Sequence, residues 1–122
     1  MARRVLIADD SISSRGMVSL VLRSSGFECI EVSDGQQAID LLQSESVDLL
    51  ITDHWMPSMT GLELVKLVRE RSAIAGLPII AMTTDVDVAK SSDLRNAGVT
   101  ACLNKPFTRE ELVSAVIRIL GE

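Results

Sequence analysis

The sequence predicts an α/β protein, a doubly wound parallel sheet of five strands with helices on both faces. Short apolar runs alternate with segments of helical periodicity along the whole chain. Most of the runs are continuously apolar, as expected for strands that are covered on both faces. The connections are short and contain no repeat or low-complexity segment. Strict alternation of this kind implies right-handed crossovers, and 122 residues fit one domain over 1–122.

The predicted strands are the five short apolar runs. They span residues 5–8 (VLIA), 29–32 (CIEV), 47–52 (VDLLIT), 78–83 (PIIAMT) and 101–104 (ACLN). Each is separated from the next by a segment of helical periodicity, which is the order expected of a parallel sheet. We therefore expect all five strands to lie in one sheet.

The predicted helices span residues 12–25, 35–44, 61–71, 87–97 and 108–120. The first is expected to turn one face to the core, formed by Met17, Leu20, Val21 and Ser24. Gly26 follows it and suits the position after a helix end. Capping-box spacing opens the third and fifth helices, with Thr60 and Glu63 in one and Thr108 and Glu111 in the other. The segment over 87–97 carries little apolar surface and ends at Gly98.

The composition excludes several classes of function. A net charge of −5 argues against a nucleic-acid or anionic-membrane partner, since either would favour a basic surface. No apolar run approaches the roughly 20 residues needed to cross a bilayer, and no signal-peptide pattern follows the N-terminus. We therefore expect a cytoplasmic protein. Its two cysteines, Cys29 and Cys102, lie inside apolar runs and are expected to be buried, reduced thiols.

Polar residues follow four of the five predicted strands. Asp9 and Asp10 follow the first strand, Asp53 the third and Lys105 the fifth, while Thr83 ends the fourth. In doubly wound sheets, ligands bind outside the carboxyl ends of the strands. The sequence therefore predicts one site at this edge of the sheet, built from three carboxylates, one hydroxyl and one ammonium group.

This set of groups favours a metal-assisted reaction at phosphorus. Three neighbouring carboxylates repel one another by about 1–4 kcal/mol per pair, so the fold needs positive charge there. Hard oxygen ligands without Cys or His select Mg²⁺ or Mn²⁺. A carboxylate beside a metal, a hydroxyl and a lysine can attack phosphorus and become an aspartyl phosphate. The metal and Lys105 would offset the charge of the phosphoryl oxygens, and Thr83 would donate a hydrogen bond to one.

Together with Pro57, Gly61 and Lys105–Pro106–Phe107, these positions resemble the receiver domain of two-component response regulators. The resemblance covers the whole chain and implies a flavodoxin-like fold with strand order 2-1-3-4-5. It implies that Asp53 is the phosphoacceptor and that Thr83 and Lys105 bind the phosphoryl group. It also implies a Mg²⁺ or Mn²⁺ site whose ligands are Asp9, Asp10, Asp53 and the backbone carbonyl of Trp55.

The resemblance also implies the partners. The phosphoryl donor would be a sensor histidine kinase or a histidine phosphotransfer protein. Phosphorylation would change a face built from the helix over 87–97, the fifth strand and the last helix. Because the chain ends just after that helix, we expect a downstream protein partner that acts in trans, although an excised domain would have the same sequence.

Two positions depart from the receiver pattern. Receivers usually carry Tyr or Phe three residues before the lysine, where this chain has Cys102. The residue after the threonine is usually small, to leave room for that ring, but here it is Thr84. The two departures suit each other, so Thr83 and Cys102 mark a switch position that lacks its aromatic group.

Other readings of the sequence stay open. Trp55 is either a partly exposed loop residue or a cover that limits water at Asp53, and His54 is expected to face solvent. A small phosphatase of the haloacid-dehalogenase type would carry Asp two residues after its nucleophile, where this chain has Trp55. A flavodoxin-like binding module would need a phosphate-binding loop after the first strand, and that loop is lacking here.

Overall fold

The computed structural model describes residues 2–90 and 92–121. Its strands are β1 (Arg4–Ala8), β2 (Glu28–Val32), β3 (Leu49–Asp53), β4 (Ile79–Thr83) and β5 (Ala101–Asn104). Its helices are α1 (Ile12–Ser24), α2 (Gly35–Leu42), α3 (Gly61–Glu70), α4 (Val86–Lys90), α5 (Ser92–Ala97) and α6 (Arg109–Leu120).

All five strands form one parallel sheet in the order β2-β1-β3-β4-β5. This confirms the predicted fold class and strand order. In the centre, Val5 of β1 pairs with Cys29 of β2 on one side and with Leu49 of β3 on the other. Cys29 and Cys102 lie on the two opposite edge strands, and both are free thiols.

The core consists of two layers, one on each face of the sheet. In β1, Val5 and Ile7 pack into one layer while Leu6 and Ala8 pack into the other. The first layer is closed by α1 and α6, and the second by α2 and α3. The three inner strands β1, β3 and β4 therefore bury both of their faces, which explains their continuously apolar sequences, whereas the edge strands β2 and β5 are partly exposed.

The predicted core face of α1 is wrong except at Val21. The residues of α1 that the structure buries are Val18, Ser19, Val21 and Leu22. Met17 and Leu20 are exposed instead, together with Ile12. The helix carries two apolar stripes, and periodicity alone cannot decide which of them faces the sheet.

Local signals predicted the helix ends well. Both capping boxes are present, at Thr60–Glu63 and at Thr108–Glu111. Gly26 has a φ of 95°, in the left-handed region that glycine adopts without strain. The segment predicted over 87–97 contains α4 and α5, on either side of residue 91, which lies outside the described residues. Asp85 begins α4 by accepting hydrogen bonds from the backbone N–H groups of Asp87 and Val88.

Arg69, near the end of α3, links two turns to that helix by hydrogen bonds. Its guanidinium donates hydrogen bonds to the backbone carbonyl oxygens of Ala75, Leu77 and Gly98, at distances from 2.6 to 3.1 Å. The first two residues precede β4, and Gly98 lies in the turn before β5. One side chain thus sets the positions from which both strands start.

Candidate functional site

The two central strands bring the three acids together. Asp53 is the last residue of β3, and Asp9 and Asp10 directly follow its neighbour β1. One carboxylate oxygen of each residue lies within 4.8 Å of the others. Asp9 is completely buried, the side chain of Asp53 is 13% exposed, and Asp10 is exposed. The predicted acidic cluster is therefore present at the carboxyl edge of the sheet.

Hydrogen bonds hold both the carboxylate and the backbone carbonyl of Asp9. Its Oδ1 accepts a hydrogen bond from the backbone N–H of Ser11 at 3.0 Å, and its Oδ2 accepts one from Lys105 at 3.2 Å. Arg15 donates to its backbone carbonyl at 2.8 Å and to Glu31 at 3.2 Å. The N-terminus of α1 adds a favourable dipole for a carboxylate. These contacts make a buried charge tolerable.

Lys105 is brought to the acids from the far side of the sheet. Its backbone N–H donates to the carbonyl of Thr83 at 2.8 Å, which continues the pairing of β4 and β5. Its Nζ lies 3.0 Å from Asp53 Oδ1 and 3.2 Å from Asp9 Oδ2. A third contact joins Nζ to the Oγ of Ser14 at 3.0 Å. The peptide bond from Lys105 to Pro106 is cis.

Burial and neighbouring charges both shift the pKa values of Asp53 and Lys105. Burial raises the pKa of Asp53, and the neighbouring acids add to this, although Lys105 opposes it. Burial acts to lower the pKa of Lys105, but its hydrogen bond to Asp53 and the charges of Asp53 and Asp9 outweigh it, so that pKa is raised. Lys105 therefore stays a cation between two carboxylates, where it can meet a negatively charged group.

Thr83 lies at the same edge but is engaged elsewhere. The residue is almost completely buried, and its Oγ1 accepts a hydrogen bond from the backbone N–H of Asp85 at 3.0 Å. Among the described residues, no hydrogen bond joins its side chain to Asp53 or Lys105. The acceptor role leaves its own hydrogen for another group. Its binding of a phosphoryl group stays a prediction.

The expectation that His54 faces solvent is wrong. The residue is only 6% exposed, and its backbone is held from two sides. His54 N–H donates to the Met82 carbonyl at 2.8 Å, and the His54 carbonyl accepts from Gly61 N–H at 2.7 Å. The Nδ1 atom of His54 is buried and has no hydrogen-bond partner among the residues that the structure describes. Burial lowers the pKa of this imidazole, although the charges of Asp53 and Asp85 oppose the shift.

Gly61 permits this close packing around Asp53. A Cβ at this position would lie 2.7 Å from the carbonyl oxygen of Asp53 and 3.0 Å from the Cα of His54. Both of these atoms belong to the backbone and cannot move independently. The start of α3 can therefore approach the end of β3 only with glycine at residue 61.

Trp55 is a partly exposed loop residue, as one of the two readings expected. Its indole is 53% exposed and meets the His54 ring edge-on, with the ring centroids 4.4 Å apart. Both rings line a pocket of about 320 Å³ beside α3 and α4, together with Leu62, Asp87, Val88, Asp93 and Leu94. Asp53 is not among the lining residues. A role of the indole in limiting water at Asp53 stays a prediction.

Comparison with known proteins decides the family. Residues 5–117 match the model of the response regulator receiver domain. The chain belongs to this family. It is similar to the chemotaxis response regulator CheY4 of Vibrio cholerae, with a TM-score of 0.92 and 39% identity over 98% of this chain and 99% of that one. It is 37% identical to the two-component response regulator ORR5 of Oryza sativa subsp. japonica over 120 residues, which cover 98% of this chain and 90% of the relative.

A further structural neighbour bears on the metal. It is the receiver domain of the sensor histidine kinase PA1611 from Pseudomonas aeruginosa PAO1, with a TM-score of 0.91, 26% identity and complete coverage of both chains. A magnesium ion is coordinated in the active site cleft of that structure. In this receiver domain, the clustered oxygens of Asp9, Asp10 and Asp53 are hard donors that fit a divalent cation. The type of donor atom and the distances between the three oxygens therefore agree with a metal site.

Cys102 and Thr84 occupy the two positions that depart from the receiver pattern. Cys102 lies on β5, where it pairs in register with Ala81, and is half-buried. Burial raises the pKa of its thiol. Thr84 is exposed at the start of the loop after β4. Whether this position switches without an aromatic ring stays a prediction.

Sequence reasoning missed Ser14. The residue lies in the first turn of α1 and contacts Lys105 from 91 positions away. Serine is common near helix N-termini, so its type carried no signal of a role in the site. Only the folded chain shows that its hydroxyl faces the ammonium group.

Proposed function

We propose that this receiver domain is a phosphoacceptor switch of two-component signalling. It takes a phosphoryl group from a phosphohistidine of a sensor histidine kinase or a histidine phosphotransfer protein onto Asp53, with Mg²⁺ or Mn²⁺ bound. The observation that carries this proposal is the 3.0 Å contact between Asp53 and Lys105 inside the acidic cluster. A carboxylate held beside a cation and next to a metal site is arranged to attack phosphorus.

The transfer is a displacement at phosphorus. A carboxylate oxygen of Asp53 forms the new O–P bond while the N–P bond of the donor breaks. The electron pair of that bond stays on the imidazole nitrogen, and a proton on the other ring nitrogen makes the leaving imidazole neutral. Lys105 then offsets the negative charge of the phosphoryl oxygens, and the hydroxyl of Thr83 donates a hydrogen bond to one of them.

The acidic cluster holds the divalent cation in this proposal. Its ligands are carboxylate oxygens of Asp9, Asp10 and Asp53 together with the backbone carbonyl oxygen of Trp55. When bound, the cation neutralises charge on the phosphoryl oxygens and so permits one anion to approach another. Asp9 is positioned for this by Ser11 and Arg15 before any cation arrives.

A protein donor is supported by the surface next to the site. Ile12, two residues after Asp10, is 78% exposed, and Leu20 on the same helix is 69% exposed. In this proposal, a protein donor covers these two exposed apolar side chains of α1. An enzyme acting on small phosphomonoesters has no need of such a surface. We therefore propose a signalling protein rather than an enzyme with turnover of its own substrate.

The output is proposed to pass to a separate protein through the face of α4, α5, β5 and α6. Lys105 directly follows β5, so a change at the phosphoryl site reaches this face through one short connection. No helix among residues 2–90 and 92–121 is long and apolar enough to cross a membrane. The proposed location is the cytoplasm.

The test is the intact mass of the protein after incubation with acetyl phosphate and Mg²⁺. We expect wild type to gain one phosphoryl group and Asp53→Ala to gain none. Asp40→Asn is the matched control, because Asp40 is an exposed acid of α2 and its carboxylate contacts only Gln36 among the described residues. Equal labelling of wild type and Asp53→Ala would overturn the proposal.

A further inference from the structure

The ammonium group of Lys105 has no N–H to spare. It carries three hydrogens, and within residues 2–90 and 92–121 three acceptors surround it: Asp53 at 3.0 Å, Asp9 at 3.2 Å and Ser14 at 3.0 Å. Two of these acceptors are carboxylates of the proposed reaction, one as nucleophile and one as metal ligand. Ser14 is the only neutral acceptor in the set, and no step of the proposed reaction consumes its hydroxyl.

Ser14 is held rigidly in the first turn of α1. Its backbone N–H donates to the Oγ of Ser11 at 3.2 Å, which caps the helix. The backbone N–H of Ser11 in turn donates to Asp9 Oδ1 at 3.0 Å. The backbone of Ser14 is therefore tied to the acidic cluster, and its Oγ is only one bond from Cβ, whereas Lys105 reaches this oxygen on a flexible stem of four carbons.

We propose that Ser14 is a positioning residue, which holds the Lys105 ammonium group in place for phosphoryl transfer to Asp53. This inference rests on the proposed function. Phosphoryl transfer turns a carboxylate oxygen of Asp53 into an ester oxygen, which weakens its contact with Lys105. A bound cation would attract the carboxylate oxygens of Asp9 and weaken the second contact. The contact with Ser14 persists and keeps the ammonium group directed at the incoming phosphoryl oxygens.

The test compares Ser14→Thr with Ser14→Val. The two side chains have nearly the same shape and the same β-branch in a helix, but only threonine retains the hydroxyl. The measurement is the rate of Asp53 labelling by acetyl phosphate with Mg²⁺, followed by intact mass. We expect Ser14→Thr to stay near wild type and Ser14→Val to be roughly fivefold slower, which corresponds to about 1 kcal/mol of barrier.

Two controls separate positioning from a general structural role. In the Lys105→Met background, Ser14→Thr and Ser14→Val should be labelled at equal rates, because Ser14 acts only through Lys105. Ser114→Thr and Ser114→Val should also be labelled equally, since Ser114 is an exposed helical serine of α6 whose side chain has no hydrogen bond to the described residues. Without metal or donor, ¹⁵N NMR should show faster exchange of the Lys105 ammonium hydrogens with water in Ser14→Val than in Ser14→Thr.

The outcomes distinguish this inference from the proposed function. Equal labelling rates for Ser14→Thr and Ser14→Val beside normally labelled wild type would overturn the role of Ser14 alone. A difference that persists in the Lys105→Met background would overturn it as well. Wild type that takes up no phosphoryl group, or takes it up elsewhere than Asp53, would overturn the proposed function and the role of Ser14 with it.

Discussion

Replacing Asp10 with asparagine should make the metal-free protein more stable. Asp10 shares the acidic cluster with Asp9 and Asp53, but unlike them it has no contact with Lys105. Asp10→Asn therefore removes repulsion without removing an ion pair. Asp53→Asn removes both, because Lys105 lies 3.0 Å from Asp53. We expect the first substitution to raise the melting temperature, and the second to raise it by less.

The size of the effect follows from the geometry. Two unit charges 4.8 Å apart, the span of the cluster, repel by about 0.9 kcal/mol in water and about 3.5 kcal/mol at an effective dielectric constant of 20. Asp10 is exposed, so its interactions lie near the lower value. Asp10 is repelled by Asp9 and by Asp53 and attracted by Lys105. The attraction offsets about one of the two repulsions, so a net repulsion of about 1 kcal/mol remains. For a domain of this size, that corresponds to about 4 °C in melting temperature.

The assay is thermal unfolding followed by circular dichroism, first in EDTA and then with Mg²⁺. Asp40→Asn controls for the loss of one negative charge and should leave the melting temperature almost unchanged. With Mg²⁺ the order should reverse, because a cation that binds only folded wild type stabilises it by about 2.7 kcal/mol at one hundred times its dissociation constant. A lower melting temperature for Asp10→Asn than for wild type in EDTA would refute the reasoning.

Three further predictions concern residues around the site. Gly61→Ala should cost about 1–3 kcal/mol in chemical denaturation and slow the labelling of Asp53, because its Cβ would meet the Asp53 carbonyl; Gly16→Ala, with no atom within 4 Å of the new Cβ, should add about 1 kcal/mol of stability. Hydrogen bonds from Thr60 lower the pKa of Glu63 below its ordinary 4.5, so their stabilisation is present above pH 4.5 and is lost as the pH falls through the lower, folded-state value. Unfolding free energies should therefore fall less steeply in acid for Glu63→Gln, and an identical slope would contradict this. The fluorescence of Trp55 should change with Mg²⁺ or beryllofluoride, and phosphorylated Trp55→Asn should lose phosphate several-fold faster, about 1 kcal/mol of barrier; an unchanged rate, with an altered rate in Asp85→Ala, would assign the control of water to Asp85.

The fold and the acidic cluster could be predicted because each depends on the order of elements. Once the strands are parallel, their carboxyl ends share one edge, and Asp9, Asp53 and Lys105 must meet there. The ends of the strands were predicted less well. Residues 47 and 48 precede β3. The backbone N–H of Asp48 still donates to the Arg4 carbonyl at 2.8 Å, but the backbone N–H of Arg4 donates to the side chain of Asp48. Such a contact depends on residues distant in the chain.

The errors share this physical origin. His54 lies in a loop by sequence, but the backbone of α3 closes over it through Gly61. In α1, the core side is chosen by how the helix lies on the sheet, because its sequence has two apolar stripes. Ser14 faces Lys105 only because α1 and the end of β5 meet at one edge. Each depends on tertiary geometry that periodicity does not contain.

Arg69 has a consequence for the kinetics of folding. Its hydrogen bonds to the turns before β4 and β5 can form only after α3 exists and both turns have closed around it. We therefore expect them to form after the transition state of folding, so that their loss accelerates unfolding and leaves the folding rate almost unchanged. Arg69→Lys keeps the charge but loses the planar fork of N–H groups. Stopped-flow measurements should show a larger unfolding rate constant for Arg69→Lys than for wild type. Amide hydrogen exchange should show faster opening of β4, which carries Thr83, and of β5, which leads into Lys105.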